Sequence, residues 1–345
     1  MPPADIQTRV FAVDPWKPDP ETIATAAAAI RSGQLVAFPT ETVYGLGANA
    51  LDEAAVAGIF TAKGRPAHNP VIVHIASADA AVSLSADWNA TARTLTAAFW
   101  PGPLTLVTRR AACIPDIVTA GGDTVALRVP AHPVALALLM EAGVPIAAPS
   151  ANRSSHISPT TAQHVLMELG GRIHLILDAG PTECGLESTV VDCTGPQPRI
   201  LRPGPITPSQ IGAALGLALA SLAESGPVSG GPLRSPGLLP RHYAPSVPLT
   251  VTPGSAADAV QQALAGGQMV GWLALEGSLP ITHSRLRLVS LPRNAQAYAH
   301  ALYAALRQLE AAGVDCMFVD AVPAGEEWLA VRDRLSKAGG QPRQR

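Results

Sequence analysis

The sequence has few charged residues and few aromatic residues. Aspartate, glutamate, lysine and arginine together make up 14% of the 345 residues, and the formal net charge is −2. A chain without an excess of positive charge has no general attraction for nucleic acid or anionic membranes. Phenylalanine, tyrosine and tryptophan make up only 4%, which leaves few side chains for stacking on unpaired bases. The composition therefore disfavours a protein whose main task is to bind nucleic acid.

Cysteine pairs and long apolar runs are also missing. The four cysteines form no C-x-x-C pair and have no histidine at zinc-ligand spacing, so we predict no metal site. The longest apolar stretch, VALALLMEAGVPIAAP, is interrupted by Glu141, Gly143 and Pro145, well short of the roughly 20 residues of a membrane span. The N-terminus lacks the apolar segment of a secretory signal. We expect a cytoplasmic protein.

The chain alternates between apolar strand patterns and helical patterns, which predicts an α/β protein. Strands such as QLVAFP and VIVHI alternate with helices, one of them capped by Asp52. Later strands follow each other without helices, which favours a mixed sheet. The predicted organisation is a catalytic domain at 1–215, a linker rich in Pro, Gly and Ser at 216–247, and a smaller Rossmann-like α/β domain at 248–345.

PTETVYGLGANA, at 39–50, contains G-x-G-x-x-A directly after the apolar run LVAF. A dinucleotide site would also need an acidic residue about 20 positions further on, to bind the ribose. No aspartate or glutamate lies between Glu53 and Asp79. That segment instead contains AKGRPAHNPVIVHI, whose Lys63 and Arg65 suit phosphate or carboxylate. We therefore exclude a nicotinamide or flavin site at this motif.

Other nucleotide and hydrolase signatures are absent: the sequence has no GxxxxGK[ST], HExxH or GxSxG. Polar loops do follow apolar strands in PSANRSSHISPT, PTECGLESTVVD and RILRPG, where open α/β sheets bind ligands. Taken singly, these residues have ordinary structural explanations; Ser158, for example, suits a helix N-cap. Together they predict a pocket for an anion-rich ligand with four cationic side chains: Lys63, Arg65, Arg128 and Arg202.

These stretches resemble the Sua5/YciO/YrdC family. The resemblance is carried by PTETVYGLGANA, KGRPAHNPVIVHI, FWPGPLTLV, ALRVPAHP, APSANRSS, DAGPTECGLESTVVD and ILRPG. SPGLLPRHYAP, followed by a small α/β unit, is similar to the two-domain Sua5 form. The resemblance implies a YrdC-like twisted mixed sheet with helices in the first domain. It is much stronger there and in the linker than in the last hundred residues.

The resemblance also implies an activity, the synthesis of L-threonylcarbamoyladenylate and pyrophosphate from L-threonine, bicarbonate or CO2, and ATP. The product serves a separate transferase machinery that modifies adenosine 37 of tRNA, so stable tRNA binding is not expected. ATP is a substrate, Mg2+ is expected to accompany it, and no tightly bound cofactor is implied.

The resemblance further assigns site residues. Lys63 and Arg65 are the catalytic basic pair. The residues expected to bind L-threonine are Thr42, His74, Arg128, Ala148 and Ser188. The residues expected to bind ATP are Arg65, Asn69, Thr124, Ser150, Ser158, Arg202 and Tyr243.

The chain departs from the family pattern at two loop positions, where Ser155 and Ala179 replace glycines and raise a question of loop conformation. The linker, with Arg241, His242 and Tyr243, is expected to act as a lid that shields a labile carbamate. A plain tether is the alternative. Two rival functions remain open: O-carbamoyl transfer through carbamoyladenylate, and binding of double-stranded RNA.

Overall fold

The computed structural model describes residues 6–218, 223–224, 234–235, 237, 241–278 and 281–339. The chain divides into two compact units. The first comprises residues up to 154 with 159–183 and 187–238, and the second comprises 155–158, 184–186 and the chain from 239 onward. The predicted linker at 216–247 therefore contributes to both units. Residues 219–222, 225–233, 236 and 238–240 of that linker lie outside the described residues.

The described residues of the first unit form one mixed sheet. Its strands are β1 Arg9–Ala12, β2 Val36–Phe38, β3 Gly45–Asn49, β4 Ile72–His74, β5 Leu104–Arg109, β6 Thr124–Arg128, β7 Ile146–Ala147, β8 Leu175–Asp178, β9 Thr189–Asp192, β10 Arg199–Arg202 and β11 Ala223–Glu224. Their order is β1-β8-β2-β3-β7-β4-β6-β5-β9-β10-β11. Consecutive strands β2 and β3 are antiparallel, as are β5 and β6 and β9 and β10. The predicted mixed sheet is confirmed.

Helices cover both faces of this sheet. They are α1 Pro20–Arg31, α2 Glu53–Lys63, α3 Ala78–Leu84, α4 Ala90–Phe99, α5 Asp116–Thr119, α6 Pro133–Ala142, α7 Ala162–Leu169 and α8 Pro208–Leu215. Helices α1 and α6 pack with Val36, Phe38 and Ile146 in one buried cluster. Helices α2, α5 and α7 pack in another cluster with the residues of the opposite face, such as Ala37 and Leu46. The two clusters sandwich the middle of the sheet.

Local signals at helix starts agree with the structure in one case and differ in another. The Asp52 carboxylate accepts a hydrogen bond from Ala55 N (3.1 Å) and caps α2, as predicted. The interpretation of Ser158 as an N-cap is wrong, because α7 begins at Ala162 and its cap is Thr161, whose hydroxyl accepts from His164 N (3.2 Å). The Ser158-Pro159 signal competed with an equally good cap three residues later.

The glycines of PTETVYGLGANA lie within a strand and not in a turn before a helix. Gly45 and Gly47 belong to β3, which pairs with β2 (Gly45 opposite Phe38 and Gly47 opposite Val36). A Cβ on Gly47 would lie 2.8 Å from Phe38 Cε1 and 2.9 Å from Ile146 Cγ2. The second glycine therefore permits close packing of neighbouring side chains across the strand, which agrees with the exclusion of a dinucleotide site.

The second unit contains a parallel sheet among its described residues. Its elements are β12 Leu249–Val251, α9 Ala257–Ala265, β13 Val270–Leu275, β14 Leu286–Leu291, α10 Ala295–Ala311, β15 Cys316–Val319, a 3-10 turn at Glu326–Trp328 and α11 Leu329–Gly339. The strand order is β12-β15-β13-β14 and all three pairings are parallel. This is the expected Rossmann-like α/β layer. None of the helices described in either unit is long and apolar enough to cross a membrane.

A buried carboxylate joins the loops of the second sheet. Asp320, directly after β15, is 3% exposed. It accepts hydrogen bonds from Ala256 N (2.7 Å), Trp272 Nε1 (2.9 Å), Leu275 N (2.8 Å) and Ser278 Oγ (2.6 Å). Four donors satisfy the carboxylate, so its burial is compatible with a stable fold.

The two departures from the family glycines have different structural consequences. Ser155 has φ 68°, so it adopts the left-handed conformation that a glycine would adopt more cheaply. Ala179 is not among the described residues with positive φ, and the glycine that follows it, Gly180, takes φ 82° instead. The backbone therefore requires glycine-like freedom at position 155 but not at position 179.

Gly47→Ala is expected to lower the free energy of unfolding by about 1–3 kcal/mol, because the added methyl group overpacks a closed strand interface. Chemical denaturation of the full chain measures this change. Gly58→Ala is the matched control: its added Cβ would meet Leu35 Cδ2 at an ordinary 3.5 Å, and removing a glycine from helix α2 gains about 0.5–1 kcal/mol. Equal effects of the two substitutions would contradict the close-packing role of Gly47.

Candidate functional site

One face of the first sheet carries polar side chains around a small apolar patch. His74 in β4 is paired with Arg128 in the parallel strand β6. Side chains alternate between the faces of a strand, so residues two apart share a face. The buried apolar cluster on this face consists of Ile72, Val107, Ala126, Val190 and Leu201. By the same alternation, the polar residues that share the face include His74, Thr105, Thr124, Arg128 and Ser188.

Arg128 forms a buried ion pair with a residue that the sequence analysis did not assign. Arg128 Nη2 lies 2.8 Å from Glu41 Oε1, and the two side chains are 4% and 6% exposed. Arg128 Nε also donates to Gly102 O (3.3 Å). Glu41 is the only carboxylate in PTETVYGLGANA. This was the feature of the sequence that could have identified it as a site residue. Glu41 thus adds one acidic group to the predicted cationic pocket.

The loop that carries Glu41 is held by a hydroxyl network. Thr40 Oγ1 accepts from the backbone N–H groups of Thr42 (3.2 Å) and Val43 (3.2 Å), and it donates to Val43 O (2.7 Å). Thr42 Oγ1 lies 2.8 Å from Thr40 Oγ1. Because Thr40 uses its single proton on Val43, Thr42 is the donor of that bond. This turn fixes the positions of Glu41 and Thr42, both buried.

His74 is a neutral imidazole inside the site. Burial, and then the positive charge of Arg128, lower the pKa of His74 to about 3. Its ring packs edge-on against Phe38, with 6.1 Å between centroids. Its Nδ1 atom is buried and has no hydrogen-bond partner among the described residues, so it can serve a ligand. Ala148, also expected to bind threonine, follows β7, and its backbone N–H donates to Ile72 O (2.8 Å).

Ser188 and Arg202 lie together beside β9. Arg202 donates to Ser188 O from Nε (3.1 Å) and Nη2 (2.9 Å), and to Ser188 Oγ (3.1 Å). Thr105 Oγ1, which the sequence analysis did not assign, is 2.7 Å from Ser188 Oγ. A Cβ on Gly204 would lie 2.3 Å from Thr189 N. The glycine in ILRPG therefore allows the two chain segments to approach closely enough for Arg202 to hold Ser188.

Lys63 connects helix α2 to the loop after β7. Its Nζ donates to Ser150 O (2.5 Å) and to Asn152 O. The side chain is 3% exposed. Burial first, and then Arg65, lower the pKa of Lys63 well below its usual value, against the opposing effect of Glu168. Lys63 thus positions the predicted ATP ligand Ser150 through the backbone.

Arg65 and Asn69 form a second part of the predicted ATP site. Arg65 Nε donates to Asn69 O (3.1 Å) and Nη2 donates to Pro70 O (2.7 Å). The Asn69 side chain is fully buried, and neither its Nδ2 nor its Oδ1 has a partner among the described residues. A buried amide without partners is costly unless a ligand supplies them. Asn69 is therefore well placed to bind one.

Two of the predicted residues, Thr124 assigned to ATP and Arg128 assigned to threonine, lie in the same strand. Thr124 and Arg128 stand at opposite ends of β6, about 13 Å apart along the strand. This distance suits an extended ligand. The remaining two predicted ATP ligands, Ser158 and Tyr243, belong to the second unit. Ser158 is fully buried.

Tyr243 is embedded in the second unit. It is fully buried with φ 59°. Its ring stacks on Tyr303 at 6.0 Å and meets the edge of His242 at 4.0 Å, and the guanidinium of Arg334 lies 5.0 Å from its centroid. The left-handed backbone conformation is costly for a residue other than glycine, and the packing around the Tyr243 ring holds the residue in it.

Models of two families match the chain. The Sua5/YciO/YrdC model, described as "Telomere recombination", matches residues 28–204, and the model described as "Threonylcarbamoyl-AMP synthase, C-terminal domain" matches residues 206–340. The chain belongs to the Sua5/YciO/YrdC family. The resemblance carried by the sequence motifs is thereby confirmed, and the second model extends the Sua5 likeness into the last hundred residues.

Individual Sua5 relatives cover nearly the whole chain. A threonylcarbamoyl-AMP synthase of Bacillus subtilis is 46% identical over 93% of this chain and 94% of its own length. One of Pyrococcus abyssi is 42% identical over 95% of both. The crystal structure of P. abyssi Sua5 complexed with L-threonine matches with a TM-score of 0.89 and 40% identity over 96% of this chain and 97% of that one. The predicted fold class is confirmed.

His74 predicts a specific pH dependence of stability. Its folded-state pKa of about 3 lies below the unfolded value of about 6.5, so its contribution is fully present above pH 6.5 and is lost as the pH falls toward 3. The free energy of unfolding is expected to fall by about 2 kcal/mol more between pH 7 and pH 5 in the wild-type chain than in His74→Gln. Urea unfolding at both pH values measures this. The exposed His283→Gln is the control and keeps the wild-type fall; a wild-type fall in His74→Gln as well would refute a neutral, buried imidazole.

Proposed function

We propose that the chain is an L-threonylcarbamoyladenylate synthase, which converts L-threonine, bicarbonate or CO2, and ATP to threonylcarbamoyl-AMP and pyrophosphate. The observation that carries the proposal is the match along nearly the whole chain to proteins named threonylcarbamoyl-AMP synthase, one of them at 46% identity. The site agrees with this activity, since buried cationic side chains and neutral donors suit a ligand with carboxylate and phosphate groups.

Threonine binds at the end of the site that holds Arg128. The guanidinium takes the amino-acid carboxylate, for which a planar fork is well suited. His74 is neutral and its Nδ1 has no partner among the described residues, so it binds a polar group of the substrate. Because it carries no positive charge, it does not compete with Arg128 for the carboxylate. The hydroxyls of Thr42 and Ser188 and the backbone at Ala148 complete this end.

ATP binds next to threonine, since its predicted ligand Arg202 donates hydrogen bonds to the predicted threonine ligand Ser188. Arg65 and Arg202 stabilise the phosphates, Asn69 offers both halves of its amide, and Thr124 and Ser150 contribute neutral donors. Lys63 holds the loop of Ser150 and Asn152 through two carbonyl bonds, so it acts at least as a positioning residue. Ser158 contributes a further hydroxyl.

Catalysis then depends on position and charge. Threonine carbamate attacks the α-phosphorus through a carbamate oxygen, pyrophosphate leaves, and no covalent enzyme intermediate forms. Fixed cations stabilise the charge that develops on the phosphate oxygens, and alignment of two bound reactants removes most of the entropic barrier. The adenylate passes to a separate tRNA-modifying transferase.

Magnesium enters with ATP as part of the substrate. No three His, Cys, Asp or Glu side chains come together within the described part of the chain, and Glu41 is already paired with Arg128. The residues present fit phosphate oxygens better than a divalent cation. We therefore place Mg2+ on the triphosphate and assign it no protein ligand.

Pyrophosphate release is expected to require ATP, L-threonine and bicarbonate together, and mass spectrometry is expected to detect threonylcarbamoyl-AMP. Arg65→Gln lowers the rate by about 100-fold, as does loss of other fixed donors to a transition-state anion. The exposed Arg93→Gln leaves the rate unchanged. Release without threonine would favour carbamoyl transfer instead, and salt-sensitive RNA binding without any release would favour the RNA-binding alternative.

We further propose that the linker segment around Tyr243 closes over ATP as a lid. Tyr243→Ala is expected to raise the KM for ATP about tenfold, because the segment loses the packing of Tyr243 on Tyr303 and His242 that holds it in place. Tyr298→Ala is the matched control, because it also removes a buried tyrosine from the second unit, where Tyr298 packs on Trp328 at 5.5 Å. Steady-state kinetics at a temperature where both variants are folded compares them. If the two variants had the same KM for ATP, the lid proposal would be wrong and the linker would be a plain tether.

A further inference from the structure

Glu41 is a buried carboxylate whose surroundings are incomplete. Its side chain is 6% exposed, and it stands on the loop that Thr40 fixes. Apart from the ion pair with Arg128, neither Oε1 nor Oε2 has a hydrogen-bond partner among the described residues. A carboxylate can accept about four hydrogen bonds, and a buried polar group without partners needs an explanation.

Neighbouring groups do not meet this need. The Thr40 hydroxyl proton is used on Val43 O, and the Thr42 hydroxyl donates to Thr40. His132, which feels the charge of Glu41, accepts from Val134 N through Nδ1 (3.2 Å). Arg128 is therefore the one described residue that balances the Glu41 charge directly, and one ion pair leaves the second oxygen without a donor.

The position of Arg128 indicates what the missing donor is. Its Nε is used by Gly102 O and its Nη2 by Glu41, while Nη1 has no hydrogen-bond partner among the described residues. A substrate carboxylate on this guanidinium must lie beside Glu41. In an α-amino acid a single carbon separates the carboxylate from the amino group, so the amino group comes next to the Glu41 carboxylate.

We propose that Glu41 binds the amino group of threonine and so selects an α-amino acid over other hydroxy acids. The inference rests on the proposed function, because it takes threonine as the ligand of Arg128. Arg128 and Glu41 together match the two charges of a zwitterion, the cation to the carboxylate and the anion to the ammonium. After carbamoylation the same nitrogen keeps one N–H group, from which Glu41 still accepts a hydrogen bond. When CO2 adds to the nitrogen, the ammonium group gives up two protons to solvent, and Glu41 keeps its charge.

Two other roles for Glu41 predict different behaviour. A residue that only orients Arg128 affects every carboxylate ligand equally. A residue that competes with the substrate for Arg128 weakens every carboxylate ligand, so its removal tightens binding of all of them. Comparison of threonine with the same molecule lacking the amino group separates these roles from direct binding.

The experiment measures dissociation constants of L-threonine and (R)-3-hydroxybutanoate by ligand-observed NMR titration of the full chain, which reaches millimolar constants. The wild-type chain is expected to prefer threonine. Glu41→Gln is expected to weaken threonine binding by about 10- to 100-fold, the range for a hydrogen bond to a charged group, and to change hydroxybutanoate binding by less than about twofold. Glu53→Gln, the same change at an exposed position of α2, is expected to change neither.

Equal weakening of both ligands, or tighter binding of both, in Glu41→Gln would overturn the inference while leaving the synthase proposal intact. A wild-type chain that binds neither ligand would overturn both. If Glu41→Gln lowers the melting temperature sharply, Glu41→Asp serves in its place, since it keeps the charge and withdraws the carboxylate by one methylene. Selective loss of threonine affinity in that variant supports the inference, and unchanged selectivity opposes it.

Discussion

Bonds between buried cations and backbone carbonyls hold this site together. Lys63 binds carbonyls of the loop after β7, Arg65 binds Asn69 O and Pro70 O, Arg128 binds Gly102 O, and Arg202 binds Ser188 O. Burying a charge is costly unless it is paired and hydrogen-bonded. Each cation therefore requires a particular loop conformation, and each loop, with carbonyls turned away from any strand partner, requires its cation. The same constraint explains the glycine at 204. Arg202 reaches Ser188 only because two chain segments approach closely at this position, where a side chain would not fit.

Carbonyl oxygens carry only partial charge, so these bonds hold the cations without neutralising them. Arg128 also pairs with the Glu41 carboxylate. The site thus keeps positive potential for an anion while its side chains stay fixed in place, which is the preorganisation that phosphoryl transfer needs. Carboxylate partners at every cation would have held the side chains as rigidly. They would, however, have competed with the substrate phosphates for the N–H donors of the cations.

Periodicity in the sequence was sufficient to predict the α/β class, most strands and the mixed sheet, since strand alternation and close strand spacing are local properties. The sequence grouped His74 with Arg128 only through the family resemblance, and their pairing across two strands was not predicted, because register between strands distant in sequence is not encoded locally. Strand β3 was missed as a strand because its two glycines resemble a turn. Glu41 was missed since a glutamate between threonines looks like any polar loop residue until the fold buries it against Arg128.

The buried ion pair of Arg128 and Glu41 also bears on the order of charge changes in the proposed reaction. There, free threonine brings one carboxylate and one ammonium to Arg128 and Glu41, so the pair remains balanced when the amino acid binds. Carbamoylation removes the ammonium charge and adds a second anionic group, which leaves Glu41 with a neutral N–H and shifts negative charge toward the remaining cations. The carbamate, more than threonine itself, is then attracted toward Arg65, which also balances the negative charge of the phosphates beside it. In the proposed reaction, repulsion by Glu41 and attraction by cations such as Arg65 therefore direct the new anionic group toward the α-phosphate that it attacks.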